Sequence, residues 1–129
     1  MPSHIVVIED DLALQDFYHL LLEAEGYTVT ISSSIYEDLS LLAELHPDLI
    51  ILDMLIDRQQ SGWHFLQRLK SSPLTEAIPV IIATASATFA QEWQEFAESW
   101  GIPVVFKPFN IDELLALIQQ LPLDRSSTL

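Results

Sequence analysis

The stretch Leu49-Ile50-Ile51-Leu52-Asp53 places four branched apolar residues directly before a carboxylate. A segment that is apolar at every position, and not only at alternate ones, indicates a strand covered on both faces, as in a parallel sheet with helices on each side. Asp53 would then lie at the carboxyl end of the strand, where open α/β sheets bind their ligands. Taken alone, an aspartate that closes a turn is the plainer interpretation.

Three further apolar segments also end in polar residues. They are residues 4–8, which lead into Glu9 and Asp10, residues 79–83, which lead into Thr84, and residues 102–106, which lead into Lys107. Because the carboxyl ends of parallel strands share one edge of a sheet, we expect these polar groups to lie close to Asp53. Their convergence favours a functional site over a simple turn.

Helix signals fill the segments between the strands. The first helix has apolar residues at 14, 17, 21 and 24 and stops at Gly26, and the second opens with a capping box from Ser34 to Glu37 and runs to about Leu45. A third helix is predicted from Trp63 to Ser71, and an aromatic stripe at 89, 93, 96 and 100 predicts a fourth helix whose rings pack in the core. Asn110 caps a fifth helix that ends near Leu121. A β-α order repeated five times predicts a parallel sheet with right-handed crossovers and helices on both faces.

The composition excludes several classes of protein. The chain of 129 residues has 19 acidic and 5 basic residues, and its net charge of −14 argues against nucleic-acid and membrane partners. The absence of cysteine excludes disulfides and thiolate metal sites. No apolar segment approaches the ~20 residues that span a bilayer, and no signal peptide is evident, so we expect a cytoplasmic protein. Residues 1–121 are expected to form one domain and residues 122–129 a flexible tail.

The clustered polar groups suit phosphoryl chemistry. The carboxylates of Glu9, Asp10 and Asp53 would repel one another by roughly 3 kcal/mol per pair at about 5 Å, which a hard cation such as Mg²⁺ would relieve. Lys107 could pair with Asp53 and later with a phosphoryl oxygen, and the Thr84 hydroxyl could donate to the same anion. Asp53 could then attack phosphorus as a nucleophile and form an acyl phosphate.

The residues Ile8-Glu9-Asp10-Asp11, Leu52-Asp53, Thr84-Ala85 and Lys107-Pro108-Phe109 occur in an order and spacing that resemble the receiver domains of two-component response regulators, over residues 4–121. The resemblance implies a doubly wound, flavodoxin-like (βα)5 α/β fold with strand order 2-1-3-4-5. It implies that Asp53 is the phosphoacceptor, that Asp10, Asp53 and the backbone carbonyl of Leu55 bind Mg²⁺, and that Glu9 acts through water. It also implies that Thr84 and Lys107 contact the phosphoryl group and that the Lys107-Pro108 peptide is cis.

The resemblance also implies partners. A histidine kinase or histidine phosphotransfer protein would donate the phosphoryl group, and a downstream protein would bind the face formed by the fourth helix, fifth strand and fifth helix. A homodimer could form through the same face. Such a single-domain receiver is a switch, and it is not an enzyme that turns over a substrate pool.

Three features depart from the family pattern. Asp57 stands where a proline is usual, and Gly62 comes one residue late, so the loop 54–62 is altered. Val104 replaces the usual aromatic switch residue, which leaves open whether phosphorylation changes the conformation. Leu55 is apolar where many members hold the hydrolytic water, so we predict slow self-dephosphorylation.

Two other functions remain open. The chain could be a degenerate receiver that acts as a constitutive protein-binding scaffold, as Val104 and the altered loop suggest. It could also be an aspartate-nucleophile phosphohydrolase of the haloacid-dehalogenase type. Those enzymes place a second aspartate two residues after the nucleophile, where this chain has Leu55.

Overall fold

A computed structural model describes residues 3–54, 61–85, 94–107 and 110–121. Within them lie the strands β1 His4–Ile8, β2 Thr28–Ser32, β3 Leu49–Asp53, β4 Val80–Thr84 and β5 Val104–Phe106. The helices are α1 Leu12–Ala24, α2 Leu39–Glu44, α3 Ser61–Ser71, α4 at residues 94–99 and α5 Ile111–Gln120. All neighbouring strands are parallel, in the order β2-β1-β3-β4-β5. The predicted fold class and strand order are confirmed.

The central strands are apolar throughout because helices cover both faces of the sheet. Every residue of β3 and β4 is buried. Alternate strand residues, such as Ile50 and Leu52, pack with α2, α3 and α4, whereas their neighbours Leu49 and Ile51 pack with α1 and α5. The unbroken apolar segments of the sequence therefore reflect two cores, one on each side of the sheet.

Local capping residues set the ends of α1 and α5. Asp11 caps α1 by accepting a hydrogen bond from the Leu14 N–H at 3.0 Å, and Gly26 follows the helix with a φ of +91°. Asn110 caps α5 through the N–H groups of the first turn. These caps agree with the sequence. The deepest residues of α1, however, are Tyr18 and Leu22, which lie outside the predicted apolar stripe.

The start of α2 was predicted wrongly. The helix begins at Leu39 with Asp38 as its cap, and not near Ser34. Arg68 of α3 donates to the backbone carbonyl of Tyr36 at 3.3 Å and to that of Glu37. Asp38 ends the segment in an extended conformation and accepts a hydrogen bond from the Ser40 N–H, so the helix starts after it.

The aromatic stripe of α4 was also predicted wrongly where it is described. Phe96 is 48% exposed and Trp100 is 41% exposed, whereas Ala97 is the buried residue of this helix. Both rings pack against Trp63 of α3 instead of entering the core. A small residue at the buried position leaves the large rings at the border between the two helices. The predicted capping box and the other two positions of the stripe, 89 and 93, lie outside the described residues.

Smaller differences concern the edges of the elements. β4 begins at Val80, later than predicted, and the loop before it is held by a hydrogen bond from Thr75 Oγ1 to the Leu69 carbonyl at 2.7 Å. Across the four described ranges, each helix is too short or too polar to cross a membrane. The predicted flexible tail, residues 122–129, and the Lys107-Pro108 peptide fall beyond these ranges.

Candidate functional site

The register of the sheet brings the strand ends together. Leu52 of β3 lies beside Ile8 of β1 and beside Ile82 of β4. The backbone N–H after β5, that of Lys107, donates to the Thr84 carbonyl at 2.8 Å. The polar residues predicted from the strand ends therefore share one edge of the sheet: Glu9, Asp10, Asp53, Thr84 and Lys107.

Three carboxylates meet at this edge. Oxygen atoms of Glu9, Asp10 and Asp53 lie within 4.8 Å of one another. Glu9 is only 1% exposed and Asp53 only 6% exposed, so water screens their charges poorly. The set offers only hard oxygen ligands, which suit Mg²⁺. The fourth predicted ligand, the Leu55 carbonyl, lies outside the described residues.

Lys107 lies inside the cluster and is not a surface lysine. Its Nζ is 2.5 Å from Glu9 Oε1 and 3.4 Å from Asp53 Oδ2, and its side chain is 12% exposed. One ammonium group thus faces two of the three carboxylates. The cluster keeps a net negative charge that a further cation would offset.

Glu9 shows the effect of this charge most clearly. Burial raises the pKa of its carboxyl group to about 7, the hydrogen bond from Lys107 lowers it, and the charge of Asp53 raises it again. The Asp11 N–H donates to Glu9 Oε2 at 3.2 Å. Burial and the charge of Asp53 thus disfavour the charged form of Glu9, and a further cation at the site would favour it.

Two residues of α1 support the site and were missed by sequence reasoning. Gln15 Nε2 donates to the backbone carbonyl of Glu9 at 2.6 Å and so ties the loop after β1 to the helix. Burial, and then the negative charges of Glu9 and Asp53, raise the pKa of the Tyr18 phenol, so its hydroxyl group lies within range of the charges of the site. No spacing rule points to Gln15, and Tyr18 resembles an ordinary core residue in the sequence.

Gly62 allows α3 to pack directly on the end of β3. A Cβ atom at this position would lie 2.5 Å from Met54 Cα and 2.6 Å from the Asp53 carbonyl oxygen. These distances leave no room for a side chain, and both neighbours are backbone atoms. The sequence signal was present, because a glycine inside a helical pattern often marks close packing, but it was interpreted only as a loop-length difference.

The remaining predicted residues have clear positions. Thr84 is fully buried at the end of β4. Val104 is half-buried and packs against the core beneath α2, α3 and α4.

An open cleft of about 400 Å³ lies above the site, lined by Glu9, Asp10, Asp11, Leu14, Asp53, Ala85 and Lys107. The cleft gives a ligand access to the carboxylates.

The family model of the response regulator receiver domain matches residues 5–119. The chain belongs to this family. The receiver domain is 34% identical over 121 residues to the DNA-binding dual master transcriptional regulator RpaA of Synechocystis sp., covering 94% of this chain and 49% of that protein. It therefore spans about half the length of that relative.

Solved structures agree with the family assignment. The receiver domain superposes on a response regulator receiver domain protein from Methanospirillum hungatei with a TM-score of 0.77 and 25% identity, over 93% of each chain. It has the same fold as the receiver domain of the sensor histidine kinase PA1611 from Pseudomonas aeruginosa, with a TM-score of 0.71 and 22% identity over 93% and 97% of the two chains. A magnesium ion is coordinated in the active-site cleft of that protein.

Proposed function

We propose that Asp53 accepts a phosphoryl group from a phosphohistidine of a histidine kinase or histidine phosphotransfer protein. The observation that carries this proposal is the position of Asp53 at the end of β3, beside two further carboxylates and 3.4 Å from the Lys107 ammonium. A carboxylate in this setting is accessible from the cleft and has a cation beside it. Both features suit a nucleophile that attacks an anionic phosphoryl group.

The transfer exchanges one bond to phosphorus for another. A carboxylate oxygen of Asp53 forms a bond to phosphorus while the P–N bond to the imidazole breaks, and the leaving imidazole takes up a proton. The Lys107 ammonium group pairs with the carboxylate before the transfer and with the phosphoryl oxygens after it. Thr84, at the end of the neighbouring strand, supplies a hydroxyl group for the phosphoryl oxygens. The product is an acyl phosphate on Asp53.

Glu9, Asp10 and Asp53 would hold Mg²⁺, together with the backbone carbonyl of Leu55. When bound, the ion supplies positive charge for the phosphoryl oxygens. Its binding would also remove the mutual repulsion of the carboxylates. The magnesium ion in the cleft of the Pseudomonas receiver domain supports this assignment.

Intact mass spectrometry tests the proposal directly. The protein is incubated with acetyl phosphate and Mg²⁺, beside the Asp53→Asn variant and a sample with EDTA. We expect a gain of one phosphoryl group in the wild type alone. No gain with acetyl phosphate or with any phosphorylated histidine donor would contradict the proposal and would favour a constitutive scaffold.

We propose that the phosphorylated protein acts as a switch that binds a downstream protein through α4, β5 and α5, and that it does not turn over a substrate pool. The charged side chains described on α4 and α5 are all acidic, namely Glu95, Glu98, Asp112 and Glu113. Two copies of this face would repel each other, so we favour a different partner over a homodimer. Analytical ultracentrifugation of the phosphorylated protein checks this, and a dimer at micromolar concentration would contradict it.

A further inference from the structure

The chain contains two lysines, Lys70 and Lys107, and their amino groups have different surroundings. Lys107 Nζ forms ion pairs with Glu9 and Asp53, and its side chain is only 12% exposed. Lys70, at the end of α3, forms no ion pair with a carboxylate of the described residues. Within that part of the chain, Lys70 is thus the lysine whose amino group has no acidic partner.

Two backbone carbonyl groups fix the amino group of Lys70. Its Nζ donates to the carbonyl oxygen of Ile78 at 2.9 Å and to that of Glu76 at 3.3 Å. A protonated amino group has three N–H bonds, whereas a neutral one has two N–H bonds and a lone pair. Both forms can therefore serve the two carbonyls, and the neutral form still has its lone pair available for another group.

The Lys70 side chain lines an open cleft that is separate from the site around Asp53. The cleft has a volume of about 510 Å³, and its other lining residues are Gln67, Ser71, Glu76 and Trp100. Glu76 carries the other charge among these lining residues, so the described lining has no net charge. A small molecule can therefore reach the Lys70 amino group without meeting the carboxylate cluster.

Burial makes this amino group a better nucleophile than an ordinary surface lysine. It lowers the pKa of Lys70 below the usual value, because a half-buried ammonium group loses hydration. A lower pKa increases the share of neutral amine at a given pH, and the neutral amine is the form that attacks an electrophile. Lys70 thus combines a desolvated, oriented amino group with access from a cleft.

We propose that Lys70 is an acylation site, whose amino group takes the acyl group of a small acyl phosphate that enters this cleft. The nitrogen lone pair forms a bond to the acyl carbon while the bond from that carbon to the phosphate oxygen breaks. Inorganic phosphate leaves with the electron pair of that bond and takes up the proton that the nitrogen releases. The product amide is neutral and has a single N–H, so one of the two backbone carbonyls loses its donor.

Acetyl phosphate in the presence of EDTA tests the proposal, because phosphorylation of Asp53 is not expected without Mg²⁺. Digestion with a glutamate-specific protease followed by mass spectrometry locates the acetyl groups. In the folded protein we expect Lys70 to react about tenfold faster than Lys107, since each pKa unit changes the fraction of neutral amine about tenfold. In urea the two lysines should react at equal rates, and Asp53→Asn should be acetylated like the wild type.

Lys70→Arg is the matched variant, because it keeps a positive charge and N–H donors but forms no stable acyl product. It should lose the acetylation at this position and still gain a phosphoryl group with acetyl phosphate and Mg²⁺. The rate of Lys70 acetylation should reach half of its maximum below pH 10.5, the ordinary pKa of a lysine. Equal rates for the two lysines in the folded protein, or a half-maximal rate at or above pH 10.5, would overturn the proposal.

Discussion

Lys107 Nζ lies closer to Glu9 than to Asp53, at 2.5 Å from Glu9 Oε1 and 3.4 Å from Asp53 Oδ2. The ammonium group therefore bridges two carboxylates and lies nearer to Glu9 than to Asp53. A bridging lysine can lose its contact with Glu9 and strengthen its contact with an anion at Asp53 without leaving the site. In this arrangement the ammonium group offsets part of the negative charge of the carboxylate cluster.

Removing the Lys107 ammonium should destabilise the protein. We expect Lys107→Met to lower the free energy of unfolding by about 2 kcal/mol at neutral pH without Mg²⁺, because a buried carboxylate loses a charged hydrogen bond. Urea denaturation measures this. In the Glu9→Gln background the same substitution should cost clearly less. Equal costs in the two backgrounds would show that the Glu9–Lys107 contact contributes nothing.

The stability of the metal-free protein should fall as pH rises. The pKa of Glu9 is about 7 in the folded protein and 4.5 in its ordinary state. Between these values the folded state holds a proton that the unfolded state releases, so the free energy of unfolding decreases from about pH 4.5 to about pH 7. At about 1.4 kcal/mol per pKa unit, the loss is about 3 kcal/mol. Urea denaturation in EDTA at a series of pH values measures it.

Two changes should flatten this pH dependence. Glu9→Gln removes the titrating group, and saturating Mg²⁺ stabilises the charged form of the cluster. A slope that is unchanged in Glu9→Gln would assign the titration to another group.

Gly62→Ala should disrupt the site by displacing the backbone of Asp53 and Met54. The added methyl group would meet Met54 Cα at 2.5 Å and the Asp53 carbonyl at 2.6 Å, so the backbone of the nucleophile must move. We expect a loss of roughly 1–3 kcal/mol in stability. Weaker Mg²⁺ binding, measured by calorimetry, should accompany it.

Gly101→Ala is the matched control for Gly62→Ala. Gly101 has a φ of +72°, and a Cβ atom added there would meet no other atom of the described residues within 4 Å, so an alanine strains the local backbone without touching the site. It should cost about 1 kcal/mol and leave Mg²⁺ affinity unchanged. If both variants bound Mg²⁺ like the wild type, the close approach at Gly62 would have no functional role.

His46 offers a way to stabilise the fold. It follows α2 with a φ of +52°, a conformation that costs an L-residue about 1 kcal/mol and costs glycine little. We therefore expect His46→Gly to keep or raise the free energy of unfolding. His19→Gly, at an exposed position in the middle of α1, should lower it by about 0.5–1 kcal/mol, because glycine is the poorer helix former and the contact of His19 with Glu23 at 2.8 Å is lost. Urea denaturation compares the two, and a large loss in His46→Gly would show that the imidazole makes a contact of its own.

The acyl phosphate should be long-lived. Leu55 has no polar group to hold a hydrolytic water, so we expect phospho-Asp53 to persist well beyond seconds in the absence of a phosphatase. Leu55→Asn should shorten its lifetime. Mass spectrometry after removal of the donor follows the decay, and loss within seconds in the wild type would contradict the prediction.

The residue patterns predicted the fold class and the edge of the sheet where the polar residues meet, and the family resemblance supplied the strand order. Strands that are apolar at every position require cover on both faces, and the β-α alternation then leaves few arrangements. Because parallel strands all run in the same direction, the residue that follows each strand lies at the same edge of the sheet. Helix caps such as Asp11 and Asn110 were also predictable, since they depend on hydrogen bonds within a few residues.

What the tertiary structure decided depends on contacts between distant segments. Arg68 contacts the segment before α2 from another helix, and Trp63 packs with Phe96 and Trp100, whose rings are part-exposed. Glu9 and Lys107 are separated by 98 positions in the chain, yet their ion pair sets the charge balance of the site. Residue patterns report which face of an element is apolar, but the choice among nearby partners depends on side-chain distances, which only the packed structure fixes.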